Sequence, residues 1–321
     1  MRRLLRKVVA LVVPLLVLLL IKHGKPDLPH ADERAAFDLF DPEIGWVGRP
    51  NHHGNYKGAV TFDVRQNNIG MRGPDLGVKR RPRVLVLGDS YVWGYDAQQD
   101  VMFTEVLGRR FPNAEIVNAG VSGYGTDQEY LWLQRYFERV KPDAVVVVFS
   151  NTDNSDNASR VMVGYNKPWF TDENGTLVLH GVPVAKSLNF WALDHPELFR
   201  HAYLAWTISA IAEAIRPYPI VGPTMTVPIV REMQRYLAAR GVGLGFLFET
   251  PDPPLQGFLT AHDVPWVGTS NVEYGDSHWT AKGHIQVADL LEPLVRQLVP
   301  ALAQPAGAAT ATTPPSGPTP R

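Results

Sequence analysis

The sequence predicts an α/β fold, a parallel sheet with helices on both faces. Two patterns point there. Short apolar runs of strand length recur without polar alternation, as strands buried on both faces do. Between them lie segments whose apolar residues repeat at helical spacing, so strand and helix alternate. In such sheets chemistry collects where strands end and loops begin.

Arg83 to Leu87 is the first run, and it ends at Gly88-Asp89-Ser90. A helix follows with Phe103, Val106, Leu107 and Phe111 on one side and Pro112 closing it. Glu115 to Asn118 reads as the second strand. Thr126 and Glu129 form a capping-box pattern, and Tyr130, Leu133, Phe137 and Val140 share a helical face that stops at Lys141-Pro142. Ala144 to Phe149, AVVVVF, is the clearest central strand. Val230, Met233 and Leu237 mark another helix, which Gly241 can end as a left-handed cap. Leu244 to Phe248 and Val264 to Val267 supply a fourth and a fifth strand. The last helix runs from about Thr280 through Leu290, Leu294 and Leu298, with Pro293 expected to kink or split it.

Two segments fall outside this alternation. Residues 37–80 read as β-rich and irregular, with Val60, Phe62 and Val64 alternating beside a Gly54-Asn55 turn. Residues 154–225 form an insertion after the third strand. They hold a hairpin turn at Asn174-Gly175 and an apolar helix from near Pro196 to Ile215 that carries Trp206. Such an insertion is either a lid or wall of a substrate site, or a packing element with no contact to substrate.

The two ends stand apart from the fold. Arg2, Arg3, Arg6 and Lys7 precede an uncharged run from Val8 to Ile21. At ~1.5 Å per residue this run is short of the ~30 Å hydrocarbon core, but Leu4 and Leu5 lengthen it while Arg6 and Lys7 snorkel. It closes in Ile21-Lys22-His23 rather than in a small-residue cleavage site. That favours an uncleaved signal anchor over a cleaved secretory signal. The basic residues ahead of the run keep that end cytoplasmic and place the rest outside. The final stretch, ALAQPAGAATATTPPSGPTPR, has no aromatic residue and reads as a disordered tail.

Composition excludes several functions. The 321 residues carry 31 Lys+Arg against 32 Asp+Glu, which argues against a nucleic-acid partner. The absence of cysteine removes disulfides, thiolate nucleophiles and sulfur-based zinc sites. Any nucleophile is an oxygen or a nitrogen.

Ser90 follows strand and glycine directly in VLVLGDSYVWG, a position that lifts it to the loop side of the sheet near a helix start. Far away stands YGDSHWTAKGH, with Asp276 and His278 just before the last helix. A serine needs an adjacent base, and a neutral imidazole accepts and returns its proton. A carboxylate on the other ring nitrogen fixes the tautomer. Asp276 and His278 are two apart, so in an extended segment they project to one side. The loop after the last strand lies on the same sheet edge as the loop after the first, which lets Ser90 and His278 meet.

These blocks resemble the SGNH or GDSL-type serine hydrolases over roughly residues 80–150 and 226–300. The resemblance implies a three-layer α/β/α, flavodoxin-like parallel sheet with a large insertion after the third strand. It also implies Ser90, Asp276 and His278 as the catalytic set. NAGVSGYG matches the family's oxyanion glycine at Gly123, with Gly120 as a near alternative. The third block, usually Gly-x-Asn-Asp, stands as FSNTDNSDN, with Ser150, Thr152 and Asp153 in its glycine, asparagine and aspartate places. The oxyanion hole implied is Ser90 and Gly123, with Asn151 or Thr152 as the side-chain donor and Asn154 as a further candidate. The close Asp276–His278 spacing, Trp279, Gly283-His284 and the strip QNNIGMRG at 66–73 look like the membrane-anchored, alginate O-acetyltransferase-like envelope branch.

The chain then divides into anchor and linker (1–28), an N-terminal extension (29–80), the catalytic domain (81–300) with its insertion (154–225), and the tail (301–321). Among the remaining candidates, His284 reads as a packing residue, and His52-His53 as loop residues whose side chains diverge. Asp89, Asp153 and Asp156 read as hydrogen-bonders supporting loops, and Asp127 and Glu129 as helix-start acids. The expectation is an exported serine esterase or O-acyltransferase, without metal or cofactor, acting on an O-acylated polysaccharide or another small ester. A membrane acyl-donor protein is a possible partner. Two other readings compete: a weakened member binding glycans through Trp93, Trp169 and Trp279, and a metal-dependent phosphoesterase using the aspartates.

Overall fold

A computed structural model of the chain describes residues 34, 36–187, 190 and 225–303. Two antiparallel hairpins come first: β1 (Asp38–Asp41) with β2 (Gly45–Gly48), and β3 (His53–Lys57) with β4 (Thr61–Arg65). Gly54 and Asn55 lie inside β3, paired with Val64 and Asp63, so the expected turn there is corrected. The chain reverses between Lys57 and Thr61 instead, where Gly58 N–H bonds the Val60 carbonyl. Phe62 and Val64 turn inward beside Phe37, Tyr56 and Trp93, as their alternation requires. His53 opens β3 and bonds Asp63 Oδ1 across the ladder at 2.6 Å, so it is a strand residue with a partner rather than a loop residue.

The alternating part follows as read. β5 (Arg83–Gly88), β6 (Glu115–Gly120), β7 (Ala144–Phe149), β12 (Gly243–Phe248) and β13 (Trp266–Gly268) form one parallel sheet in the order β6-β5-β7-β12-β13. The chain starts in β5, steps out to β6, then crosses back to β7. The direction of travel reverses between β5 and β7, and a crevice opens beyond their carboxyl ends. Every residue of β7 is buried, and each buried valine contributes ~1.5–3 kcal/mol.

Helices α1 (Ser90–Trp93), α2 (Phe103–Arg110), α3 (Thr126–Val140), α4 (Asp153–Ala158), α5 (Thr226–Ala238), α6 (Pro253–Ala261) and α7 (Ala281–Leu298) complete the body. Phe103 and Leu107 of α2 and Val287 and Leu291 of α7 pack on one sheet face. Tyr130 and Leu133 of α3 and Ile229 and Met233 of α5 cover the other.

Three expectations, about a helix cap, a helix interior and the start of the tail, are corrected. Gly125, not Thr126, caps α3, and Thr126 instead donates its hydroxyl to Asp153 Oδ1 at 2.7 Å, so no capping box forms. Pro293 sits within α7 without splitting it. Leu302 is buried beyond α7, so the first residues of the segment read as tail still pack on the body.

Within the insertion, β8 (Val161–Met162) pairs with β9 (Tyr165–Asn166). β10 (Trp169–Glu173) pairs with β11 (Thr176–His180) through Asn174 and Gly175, both at positive φ, the turn expected at that dipeptide. The apolar helix read from Pro196 to Ile215, the N-terminal anchor and the tail beyond Ala303 lie outside the described residues. Among the described residues no helix is long and apolar enough to cross a membrane.

Candidate active site

β5 ends in Gly88, where a Cβ would meet Val92 at 2.3 Å, so glycine lets α1 fold directly back against the strand. Asp89 caps α1 by accepting the Tyr91 N–H at 2.9 Å. Ser90 therefore opens a helix at the sheet's rim, and its own N–H has no acceptor among the described residues.

The segment 274–279 reaches the same rim. Ser90 Oγ lies 2.8 Å from His278 Nε2. Nδ1 of that imidazole lies 2.8 Å from Ser277 Oγ. With Nδ1–H donating to Ser277, Nε2 is left to accept the serine proton. The Tyr95 ring stacks on the imidazole at 4.6 Å between centroids, and the Tyr91 ring leans on it at 4.9 Å. Burial drives the imidazole down to about 4, with Asp96 and Glu249 opposing and Arg34 reinforcing the shift.

Asp276 is not part of this contact. It is exposed, and among the described residues no hydrogen bond joins it to His278. The expectation assumed an extended segment with side chains two apart on one side. Residues 276–278 instead form a bend closed by Gly275 N–H to the His278 carbonyl at 2.7 Å, inside a bridge between Tyr274 and Trp279. The bend turns the neighbouring serine, not the aspartate, onto Nδ1.

The other predicted residues gather around Ser90. Gly123, Asn151 and Thr152 line one cavity of about 350 Å³ with Ser90 and His278. Gly123 adopts φ +83°, a left-handed conformation that turns its N–H out of the local pattern, and that N–H has no acceptor among the described residues. Thr152 Oγ1 lies 3.2 Å from Ser150 Oγ. The Asn151 backbone N–H bonds Glu249 at 3.1 Å, and its side-chain amide makes no hydrogen bond among the described residues. Asn154 is committed elsewhere, donating to Asp252 at 2.7 Å and accepting from Thr226 at 2.6 Å. Gly120 packs against the backbone of α1, where a Cβ would fall 2.1 Å from Trp93 N, so its glycine serves close approach.

Behind the serine loop lies an acidic layer. Burial pushes the Asp89 carboxyl up to about 7, and raises Asp153 and Glu129 well above the ordinary carboxylate range. Asp153 accepts the Ser150 N–H at 2.6 Å and holds the third block in place. Asp127 pairs with buried Lys167 at 2.6 Å. Asp127 and Glu129 both stand in the first turn of α3, as read, and neither oxygen of Glu129 has a hydrogen-bond partner among the described residues. His284 lies buried in α7, accepts the Phe103 N–H at 3.3 Å and stacks on that ring.

The tryptophans proposed as glycan platforms are not free to stack on sugars. Trp93 and Trp279 are buried, and Trp169 lies beneath Arg160 and beside His180.

Three side chains escaped the sequence reading. Ser277 holds Nδ1. Arg72, the arginine of QNNIGMRG, is buried and donates to the carbonyls of Trp93, Gly94, Asp63 and Ala97, clamping the turn after α1 to the extension. Arg34 lines the cavity itself. An irregular strip rich in Asn and Gly with one buried-capable Arg was a visible sign of such a clamp. Nothing in the sequence around Arg34 marks it.

The family described as GDSL-like Lipase/Acylhydrolase matches residues 86–240, just under half of the chain. The match covers Ser90, Gly123 and the third block and stops short of His278. No match was found among curated proteins. Among solved structures, the chain is similar to the lipase/acylhydrolase from Enterococcus faecalis at 14% identity and TM-score 0.39, covering 71% of this chain and 100% of that one. A lipolytic protein of the G-D-S-L family from Veillonella parvula is similar at 11% identity and TM-score 0.39, covering 67% and 99%. The crystal structure of TesA is similar at 11% identity and TM-score 0.38, covering 68% and 99%.

Proposed function

We propose that this chain is an exported serine esterase or O-acyltransferase working through an acyl-enzyme on Ser90. The observation that carries the reading is the 2.8 Å contact between Ser90 Oγ and His278 Nε2 at the sheet's switch point. The family match over residues 86–240 supports ester chemistry.

Ser90 Oγ attacks the ester carbonyl while its proton passes to His278 Nε2. The tetrahedral oxyanion takes hydrogen bonds from the N–H groups of Ser90 and Gly123, with the uncommitted Asn151 amide or the Thr152 hydroxyl as the third donor. Collapse breaks the ester C–O bond, the alcohol leaves with the proton from His278, and the acyl group stays on Ser90. Water, or a sugar hydroxyl in a transferase, then attacks, gives its proton to His278, and carries the acyl group away as the proton returns to Ser90. Ser277 steadies the ring, with Asp276 at most an indirect contributor. No step uses a metal or cofactor.

The basic residues before Val8–Ile21 support membrane attachment with the catalytic body outside the cytoplasm. Together with QNNIGMRG and the short Asp276–His278 spacing, they support the envelope branch and an O-acylated polysaccharide as substrate. In the transferase form, a membrane acyl-donor protein is the partner.

A fluorophosphonate probe on the full chain in detergent should label the wild type and not Ser90→Ala. Acetate release from acetylated polysaccharides should fall by ~10⁴ or more in that variant. A labelled Ser90→Ala protein would sink the assignment. Acetyl transfer to added oligosaccharide in place of water separates the two product fates.

A further inference from the structure

The Ser90 cavity contains a cation that the acyl-enzyme chemistry does not use. Arg34 lines it with Ser90, Gly123 and His278. Its Nη1 lies 3.0 Å from the point where a Cβ on Gly123 would sit. That nitrogen is buried without a hydrogen-bond partner. Among the described residues no carboxylate stands within ion-pair distance of the guanidinium. Asp38 acts on it through space, but burial pushes that carboxyl up to about 7, so near neutral pH it is only a partial counter-charge. A buried N–H with no acceptor is costly, and the guanidinium fork matches a planar carboxylate.

We propose that Arg34 binds a carboxylate carried by the ester substrate, making the Ser90 cavity selective for anionic esters. The inference rests on the ester chemistry proposed above.

A carboxylate fits this site better than the reaction's own oxyanion. A cation beside His278 that Asp38 only partly balances opposes the imidazolium that must form during acylation. Burial sets the low basicity of that ring, Arg34 lowers it further, and Asp96 and Glu249 act the other way. Tyr91, Tyr95 and Ser277 contact the ring from its remaining sides. A substrate carboxylate on Arg34 cancels the opposing charge as the complex forms. The bound imidazole is then a stronger base than the free one, so binding the right substrate also prepares the base.

The test compares 3- and 4-acetoxybenzoate with the corresponding neutral acetoxybenzamides, using the full chain. Wild type should favour a benzoate by about 10-fold or more in kcat/KM, mainly through KM, as a charge-assisted pair would. Arg34→Ala should erase the preference while changing the benzamides by less than about 3-fold, and Arg34→Lys should keep part of it. On the benzamides, Arg34→Ala should also move the acidic limb of kcat/KM to higher pH, which a merely structural role would not do. Equal loss in kcat on both esters would assign Arg34 to the oxyanion and overturn the inference, as would no preference in wild type. Equilibrium binding to Ser90→Ala and to Ser90→Ala/Arg34→Ala decides the matter without turnover. Tighter benzoate binding that vanishes with Arg34 supports it, and equal binding overturns it. If wild type neither reacts with fluorophosphonate nor releases acetate, it is the ester reading that fails, and the binding pair still judges Arg34.

Discussion

The two halves of the Ser90 cavity are built differently. One half comes from strand ends: Ser90 after β5, Gly123 after β6, Asn151 and Thr152 after β7. These positions inherit the ladder of strands buried at their carboxyl ends, and the turns are fixed by close packing of Val92 at Gly88 and by the left-handed backbone of Gly123. The other half comes from irregular chain: Arg34 ahead of β1, Tyr95 in the turn after α1, and the bend at 276–278. Side chains hold this half, through Arg72 on the turn carbonyls and the Tyr91 and Tyr95 rings on His278. The strand-end half sets where the serine and its donors stand, and the irregular half sets how the base is tuned and what the pocket admits.

If that division is right, the largest effect short of losing the nucleophile belongs to a backbone position in the first half. Gly123→Ala must hold φ +83° with a side chain, and its Cβ would lie 3.0 Å from both Arg34 Nη1 and Val163. Displacing that N–H should cost ~10²–10³ in kcat, the scale of one lost oxyanion donor. Steady-state kinetics with a folding check by circular dichroism measures it. A drop under tenfold would mean the strand-end half does not carry the donor.

A middle-sized effect tests the irregular half. Ser277→Ala removes the group on Nδ1 and should lower kcat by roughly tenfold, since a neutral hydroxyl orients the ring but does not supply the charge a carboxylate would. Asp276→Asn should change kcat by less than about 3-fold, because among the described residues no hydrogen bond joins its carboxylate to the ring, whose two nitrogens face Ser277 and Ser90. The reverse ranking would restore Asp276 to the orienting seat.

The same division explains what the sequence made legible. Apolar runs and helical spacing fix the sheet, and the sheet fixes which loops share an edge, so the meeting of Ser90 with His278 was readable from two motifs 188 positions apart. What the sequence hid depends on local backbone shape. Whether Asp276 or Ser277 faces Nδ1 turns on a bend against an extended strand, and no residue in YGDSHW demands one over the other. The capping box failed for a similar reason: Thr126 found a better acceptor in Asp153, a partner 27 residues away. Arg34 was hidden because its meaning lies wholly in what surrounds it after folding, among Tyr56, Tyr165 and Asp38, which are remote or unremarkable in sequence.

The smallest expected effect concerns pH, and its sign separates the two halves again. The strand-end donors are N–H groups and do not titrate, so a limb near 4 reports the base in the irregular half, whereas a change near 7 reports Asp89, the α1 cap whose carboxyl burial pushes up to about 7. His278 must be neutral to take the Ser90 proton, and burial holds it near 4, below the ordinary histidine value of about 6.5. Its base form therefore predominates at all pH values above about 4. Lowering the pH from 7 to 5 should reduce kcat/KM on a neutral ester by less than about twofold, with the fall setting in only as the ring protonates near 4. The profile is best taken in short assays with activity recovered on return to pH 7, which separates titration from unfolding. A limb near 6.5 would show an imidazole in contact with water, and the stacked Tyr95 ring would then not be shielding it.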